Sequence, residues 1–178
     1  MPPLPELAIR PARPEDAAAA SDVICASIRF LCSADHHDER DAIANWLANK
    51  SPDSIAAMIA DPLATVWVAE REGSIVAVGQ TTRPGHAEGA GKITLNYVVP
   101  AARRTGASSV LLSVMETSLA AEGITRAHLT STETALKFYL AHGWQPSAPP
   151  RKGRWIVGHP LEKEISSPVD NKAGGAAP

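Results

Sequence analysis

The sequence predicts a mixed α/β (α+β) fold in which helices flank a mostly antiparallel central sheet. Two observations predict it. The first is the order of the elements: a strand, several helices, two strands, a strand–helix–strand–helix segment and two closing strands. The second is Ile93–Val99, an apolar run rich in β-branched residues, which is typical of a strand buried on both faces. The strand–helix–strand segment predicts one parallel crossover inside this sheet.

Local signals place the individual elements. Apolar residues at helical spacing between capping residues predict helices over 17–32, 38–49, a short segment after Ser51, 110–121 and 133–142. Apolar runs bounded by turn residues predict strands at 7–10, 65–70, 74–81, 93–99 and 126–130, with a closing pair at 144–146 and 154–161. Gly79 interrupts one strand, which predicts a bulge or close backbone packing there. The polar stretch 33–38 is predicted to separate the first two helices.

Length and charge restrict the class of protein. The 178 residues are enough for one domain, which we place at 7–165, with a flexible N-terminus at 1–6 and a disordered tail at 166–178. A net charge of −2 gives no sign of a nucleic-acid-binding surface. No apolar run approaches the roughly 20 residues of a membrane span, and the first residues lack the pattern of a signal peptide. Cys25 and Cys32 are expected to be reduced, so we expect a cytoplasmic protein with no membrane or nucleic-acid partner.

The strongest chemical signal is the segment that follows the apolar strand. Pro100 ends the strand, and the basic, small-residue turn 103–109 runs directly into an amphipathic helix. The free N–H groups of the first turn of a helix point toward an anion, and the helix dipole favours its charge. Small side chains allow a close approach to the backbone, and arginines add positive charge. This arrangement predicts a phosphate-binding site.

Several motifs resemble those of the GCN5-related N-acetyltransferase (GNAT) family. The turn 103–108, RRTGAS, is similar to the family's acetyl-CoA-binding motif, Q/R-x-x-G-x-G/A. It is preceded by Tyr97-Val98-Val99-Pro100 and followed by Leu111-Leu112, as is usual in the family. The later segment 135–144, ALKFYLAHGW, resembles the family's A-x-x-F-Y-x-x-x-G-F, and 9–16 is similar to its first strand and turn. The resemblance covers residues 7–162.

The resemblance implies an enzyme that moves an acetyl group from acetyl-CoA to a primary amine by direct attack, without a metal. It implies a splayed parallel pair formed by Ile93–Val99 and Arg126–Thr130, which would hold the cofactor. The pyrophosphate would be bound by Arg103, Arg104, Thr105, Gly106, Ala107, Ser108 and Ser109. The acceptor would be a small-molecule or peptide amine, and a homodimer would be compatible with the family.

The remaining implied roles concern the pantetheine arm and the leaving group. The backbone of Tyr97, Val98 and Val99 would pair with the pantetheine like an added strand. Thr132 stands where the family often has an asparagine that contacts the same arm. Tyr139 is the candidate general acid, because a phenol with a pKa near 10 is protonated at neutral pH. Its alternative role is that of an aromatic residue that only packs on the sheet.

Three positions depart from the family pattern. Ser108 replaces the second glycine of the cofactor motif; its hydroxyl adds a donor while its Cβ restricts φ. Thr132 has a shorter reach than asparagine. Trp144 replaces the final phenylalanine of the later motif.

The general base is less evident. The central strand carries Asn96 but no acid, so we assign Asn96, Asp35 and His36 as candidate substrate-binding residues, with His36 a possible base. The alternative for the cluster at 35–39 is a helix cap. Its acidic character would suit a cationic amine. The irregular spacing of its histidines and acids does not predict a metal site.

A different class of function is also compatible with these residues. The same fold can serve as a non-catalytic acyl-CoA-binding or sensory module. The missing acid on the central strand and the serine at 108 favour that alternative, whereas Tyr139 within its motif favours the enzyme. A longer acyl donor is a third possibility.

Overall fold

The computed structural model describes residues 6–85 and 89–165. The predicted tail at 166–178 and all but Glu6 of the predicted flexible N-terminus lie outside the described residues.

The elements follow the predicted order. The helices are α1 (Ala17–Leu31), α2 (Ser33–His36), α3 (Arg40–Leu47), α4 (Pro52–Ala60), α5 (Ala107–Ala121) and α6 (Glu133–Ala141). The strands are β1 (Ala8–Pro11), β2 (Ala64–Arg71), β3 (Ser74–Thr82), β4 (Gly91–Val98), β5 (Arg126–Ser131), β6 (Gln145–Pro146), β7 (Arg151–Lys152) and β8 (Val157–Glu164). Short 3-10 turns precede α1 and follow β4.

One sheet contains all these strands, in the order β1-β2-β3-β4-β5-β8-β6, with β7 paired to β8. Every pairing is antiparallel except that of β4 with β5, which is parallel. The fold-class prediction is therefore confirmed, including its single parallel crossover.

Two local predictions were wrong in detail. Residues 33–38 are not simply a polar break, because Ser33–His36 form one helical turn that ends where His37 and Asp38 adopt positive φ. The short strand β7 lies between the two predicted closing strands, and the returning strand begins at Val157 instead of residue 154.

The parallel pair opens along its length. Only Gly91 with Ala127 and Lys92 with His128 are in register. Beyond Lys92 the two strands diverge, so one edge of β4 has no partner strand there. The predicted splay of this pair is present.

A β-bulge in β4 changes which face its side chains occupy. Gln80 lies opposite Leu95 and Thr81 lies opposite Ile93, so Thr94 is an extra residue in β4. As a result Ile93 packs with the α5 and α6 cluster, while Leu95 packs with the α1 and α4 cluster on the other face. The core therefore has one layer on each face of the sheet.

Gly79 allows α5 to approach β3 closely. A Cβ built there would lie 2.6 Å from the Met115 sulfur and 3.3 Å from Leu111 Cδ2, and both side chains are fully buried. We therefore expect Gly79→Ala to lower the free energy of unfolding by about 1–3 kcal/mol, since α5 or Met115 must shift. Chemical denaturation measures this. Gly85→Ala is the control, because its added Cβ would meet nothing within 4 Å, and an equal loss in both variants would contradict the packing role.

Within residues 6–85 and 89–165, no helix combines the length and apolar character that crossing a membrane requires.

Candidate functional site

A cleft of about 360 Å³ occupies the space between the diverging strands β4 and β5. Its walls are residues 93–98 of β4, the end of β5, and the N-terminal turns of α5 and α6, with Cys32 at the end of α1. Most of the predicted cofactor residues line it: Tyr97, Val98, Arg103, Arg104, Gly106, Ala107, Ser108, Ser109 and Thr132. Asn96 and Tyr139 line it as well. The splay of the sheet therefore brings these residues together.

The turn before α5 forms one end of this cleft. Gly106 has φ +84°, a conformation that glycine adopts without strain, and α5 begins at the next residue. No side chain caps the N-terminus of α5, so its first N–H groups face the cleft without a capping partner. Arg103 and Arg104 are exposed beside them, and neither forms an ion pair within the described part of the chain. This end of the cleft is suited to an anion.

Ser109 is held by a residue that the sequence analysis missed. The Nδ1 of His142 lies 2.7 Å from the Phe138 carbonyl oxygen, which can only accept, so Nδ1 carries the proton. In the neutral ring the other nitrogen, 3.0 Å from the Ser109 hydroxyl, then accepts from that hydroxyl. Ser109 is thus oriented by α6, whereas Ser108 has no such constraint. No sequence signal pointed to His142, because it lies 33 residues from Ser109.

Two predicted cofactor residues do not line the cleft. The Thr105 hydroxyl donates to the Ala102 carbonyl (2.7 Å) and accepts from Arg71 Nη1 (3.3 Å). It therefore stabilises the turn and does not face the cleft. The Val99 N–H donates to the Val76 carbonyl at 2.9 Å, which leaves only its carbonyl for a ligand.

Tyr139 stands at the other end, on α6. Thr132 caps the N-terminus of this helix, because its hydroxyl accepts from the Ala135 N–H at 3.1 Å. The phenol ring is buried, 6% exposed, and packs edge-on against Trp144 at 6.1 Å between ring centroids. Burial raises the pKa of Tyr139 to about 12, an effect partly offset by the side chain of Asn96. The Oδ1 of Asn96 is itself buried with no partner among the described residues.

The two tyrosines of the chain provide a direct test of this burial. Tyr97 and Tyr139 are the only ones, and burial raises the pKa of each. Because the folded state holds both protons more tightly than the unfolded chain, this contribution to stability is complete below about pH 10 and is lost as the pH rises toward 12. We expect no tyrosinate absorbance near pH 10 and its appearance only with alkaline unfolding, followed by circular dichroism. A titration at the pH of free tyrosine, in a folded protein, would contradict the burial.

Asp35 does not line the cleft; it caps the N-terminus of α6, which lies far from it in the sequence. Its carboxylate accepts from the N–H groups of Glu133 (2.7 Å) and Thr134 (3.2 Å) and from the Thr134 hydroxyl (2.6 Å). The carboxylate thus satisfies first-turn donors of the helix that carries Tyr139. Because both oxygens of Asp35 bind α6, we propose that Asp35 stabilises this helix and does not contact the acceptor.

Both ring nitrogens of His36 form hydrogen bonds with backbone groups of the protein. The Asp38 N–H donates to its Nδ1 at 3.0 Å, so the other nitrogen must be the donor to the Ile28 carbonyl at 2.8 Å. The ring is fully buried and meets Trp46 edge-on. In this tautomer neither nitrogen has a free lone pair. We therefore propose that His36 has a structural role and does not act as the base.

Cys32 lines the cleft but is a poor nucleophile. Burial, and next the charge of Asp35, raise the pKa of its thiol to about 12, so the thiolate is scarce at neutral pH. Within the described ranges no group of three or more His, Cys, Asp and Glu side chains could hold a metal ion.

The model of the acetyltransferase (GNAT) domain matches residues 33–165, well over half of the chain. The chain belongs to the GNAT acetyltransferase family. The resemblance inferred from the motifs is thus confirmed. No curated protein sequence matches the chain.

Solved structures show that this GNAT chain has the fold of other family members. It is similar to the PaiA N-acetyltransferase of Thermoplasma acidophilum, solved with coenzyme A (TM-score 0.76, 14% identity, 89% of this chain and 99% of that one). It is also similar to the ribosomal-protein-S18-alanine N-acetyltransferase of Escherichia coli (0.67, 16%, 90% and 95%). A third is yncA of Salmonella typhimurium, solved with acetyl-CoA (0.62, 18%, 97% and 98%). At these identities the likeness concerns the fold.

Proposed function

We propose that this GNAT protein is an N-acetyltransferase that moves the acetyl group of acetyl-CoA to a primary amine by direct attack in a ternary complex. One observation carries the proposal: a single cleft joins an anion-binding turn before α5 to the buried phenol of Tyr139. The family membership supports acetyl transfer, and two of the similar structures were solved with coenzyme A or acetyl-CoA.

The cofactor would lie along β4. Its pyrophosphate would accept from the first-turn N–H groups of α5 and from Arg103 and Arg104. The pantetheine arm would pair with the edge of β4 at Tyr97 and Val98, where β5 has already diverged. This mode uses backbone groups, so it makes no demand on those two side chains.

The thioester would then lie between β4 and α6, within reach of Tyr139. The amine nitrogen forms the new C–N bond as the C–S bond breaks, and the proton that the amine loses balances the one that sulfur gains. The phenol, whose pKa of about 12 keeps it protonated at neutral pH, gives its proton to the departing sulfur, and the proton that the amine releases returns to the phenol through solvent. Asn96 lines the same cleft, and its Oδ1 is buried without a partner among the described residues.

The amine must be neutral when it attacks. Among the described residues that line the cleft there is no carboxylate and no histidine. We therefore propose that the amine loses its proton to water or arrives uncharged. This same observation favours one alternative, a non-catalytic acyl-CoA-binding module.

Binding and turnover measurements separate the two functions. We expect Arg103→Gln and Arg104→Gln each to raise the Kd for acetyl-CoA about threefold to tenfold, because each removes a charge from the anion site. Arg126→Gln is the matched control, an exposed arginine outside the cleft. An amine screen at saturating acetyl-CoA, including peptides with free N-termini, then tests catalysis by mass detection of the acetylated amine. Tight binding with no acetylated product would support the module and contradict the enzyme.

A further inference from the structure

A second cleft, of about 370 Å³, lies at the closed end of the β4–β5 pair. The residues common to the two clefts are Ile93, Thr94, Leu129 and Thr130. The second cleft therefore adjoins the cofactor cleft along these four residues.

The polar wall of the second cleft lies on one face of the sheet, whereas the cofactor cleft is lined from both faces, by α5 and α6 and by Ser27, Leu31 and Cys32 at the end of α1. On β5, Ala127, Leu129 and Ser131 are buried on the α5 and α6 side, so the alternating residues His128 and Thr130 project from the other side. A molecule in the second cleft would thus approach the thioester from the side of the sheet away from α5, whose first turn is proposed to hold the pyrophosphate.

The second cleft is positively charged. Lys92, His128 and Arg151 line it, and within the described ranges no carboxylate does. Lys92 and Arg151 are exposed and form no ion pair with any described residue. Glu162 lies 3.9 Å from the Nδ1 of His128 and is 44% exposed, but it does not line the cleft. The hydroxyls of Thr130 and Ser147 add polar groups to the same wall.

We propose that the second cleft binds the acceptor, and that the acceptor is an amine bearing an anionic group, a carboxylate or a phosphate, held by Lys92 and Arg151. This inference rests on the proposed acetyl transfer. The anion anchors the molecule on one face of the sheet while its amine reaches through the β4–β5 gap to the thioester. A polycation would meet two like charges there, so this is the reverse of the cationic acceptor suggested by the acidic segment near Asp35.

Matched amines test the proposal at saturating acetyl-CoA. The pairs are alanine with alaninamide and O-phosphoethanolamine with ethanolamine, and spermidine is the polycation. We expect the anionic member of at least one pair to have a kcat/KM about tenfold or more above that of the member without the anion. For alanine this difference would oppose basicity, because the amine of alaninamide is less basic and is therefore uncharged more often. The pair that shows the difference distinguishes carboxylate from phosphate.

Variants of the second cleft test where the preference arises. Lys92→Gln and Arg151→Gln should each lower kcat/KM for the anionic amine about tenfold and leave the Kd for acetyl-CoA unchanged. Lys152→Gln, the next residue of the same short strand and outside the cleft, should change neither. A binding measurement independent of turnover uses N-acetylalanine and N-acetyl-O-phosphoethanolamine with the CoA-loaded protein. We expect one of them to bind the parent and to bind Lys92→Gln more weakly.

The possible failures are distinguishable. If acetyl-CoA binds but neutral amines or spermidine are acetylated as well as the anionic ones, the inference is overturned while the acetyltransferase stands. It is also overturned if neither acetylated anion binds, or if both bind the variants as they bind the parent. If acetyl-CoA does not bind at all, the proposed function itself fails, and the inference with it.

Discussion

Replacing Tyr139 by phenylalanine is expected to lower kcat by about 10²- to 10³-fold and to leave the Kd for acetyl-CoA within about twofold. The phenol donates its hydrogen bond only to the sulfur that departs, so it stabilises the transition state more than the bound thioester. The ring remains packed against Trp144 and Phe138, which keeps the cleft intact. Single-turnover kinetics and calorimetry measure the two quantities.

Tyr97→Phe is the matched control for this prediction. Tyr97 also lines the cleft, and burial raises its pKa as well, but its proposed contact with the cofactor is through the backbone. We expect this variant to keep kcat close to that of the parent. Equal losses in the two variants, or an unchanged kcat in Tyr139→Phe, would contradict the assignment of Tyr139.

Replacing Asp35 by alanine is expected to lower the free energy of unfolding by about 2–4 kcal/mol. Asp35 is 9% exposed and accepts three part-buried hydrogen bonds at the N-terminus of α6, so its loss leaves three donors without this partner. Because α6 carries Tyr139, kcat should fall as well. Urea denaturation of the parent and the variant gives the stability difference.

Asp22→Ala is the control for Asp35. Asp22 is an exposed residue in the middle of α1, where alanine is well tolerated, so its removal should cost little. A catalytic or substrate-binding role for Asp35 would instead lower activity with no loss of stability, and that result would overturn the capping role.

Much of the fold followed from local signals. Helical spacing, capping residues and apolar runs are encoded within a few residues, and they placed the central strand, α5 and α6 correctly. The turn before α5 was also predicted, because Gly106 and its basic neighbours are contiguous in the chain.

The roles that local signals missed depend on distant contacts. Asp35 and Thr134 are 99 residues apart, and His142 and Ser109 are 33 apart, so nothing in their immediate neighbours revealed these pairs. Asp35 and His36 were predicted to bind the substrate; in the structure both are buried, Asp35 against the first turn of α6 and His36 against the Ile28 carbonyl and the Asp38 N–H. The second cleft depends on where β4 and β5 diverge, which spacing along the chain does not encode.

A crystal structure of the protein with coenzyme A tests the central claim most directly. We expect the pyrophosphate on the first turn of α5, beside Arg103 and Arg104. The pantetheine should follow the open edge of β4, and the sulfur should lie within hydrogen-bond distance of the Tyr139 hydroxyl. Coenzyme A bound elsewhere, or with its sulfur directed away from Tyr139, would contradict it.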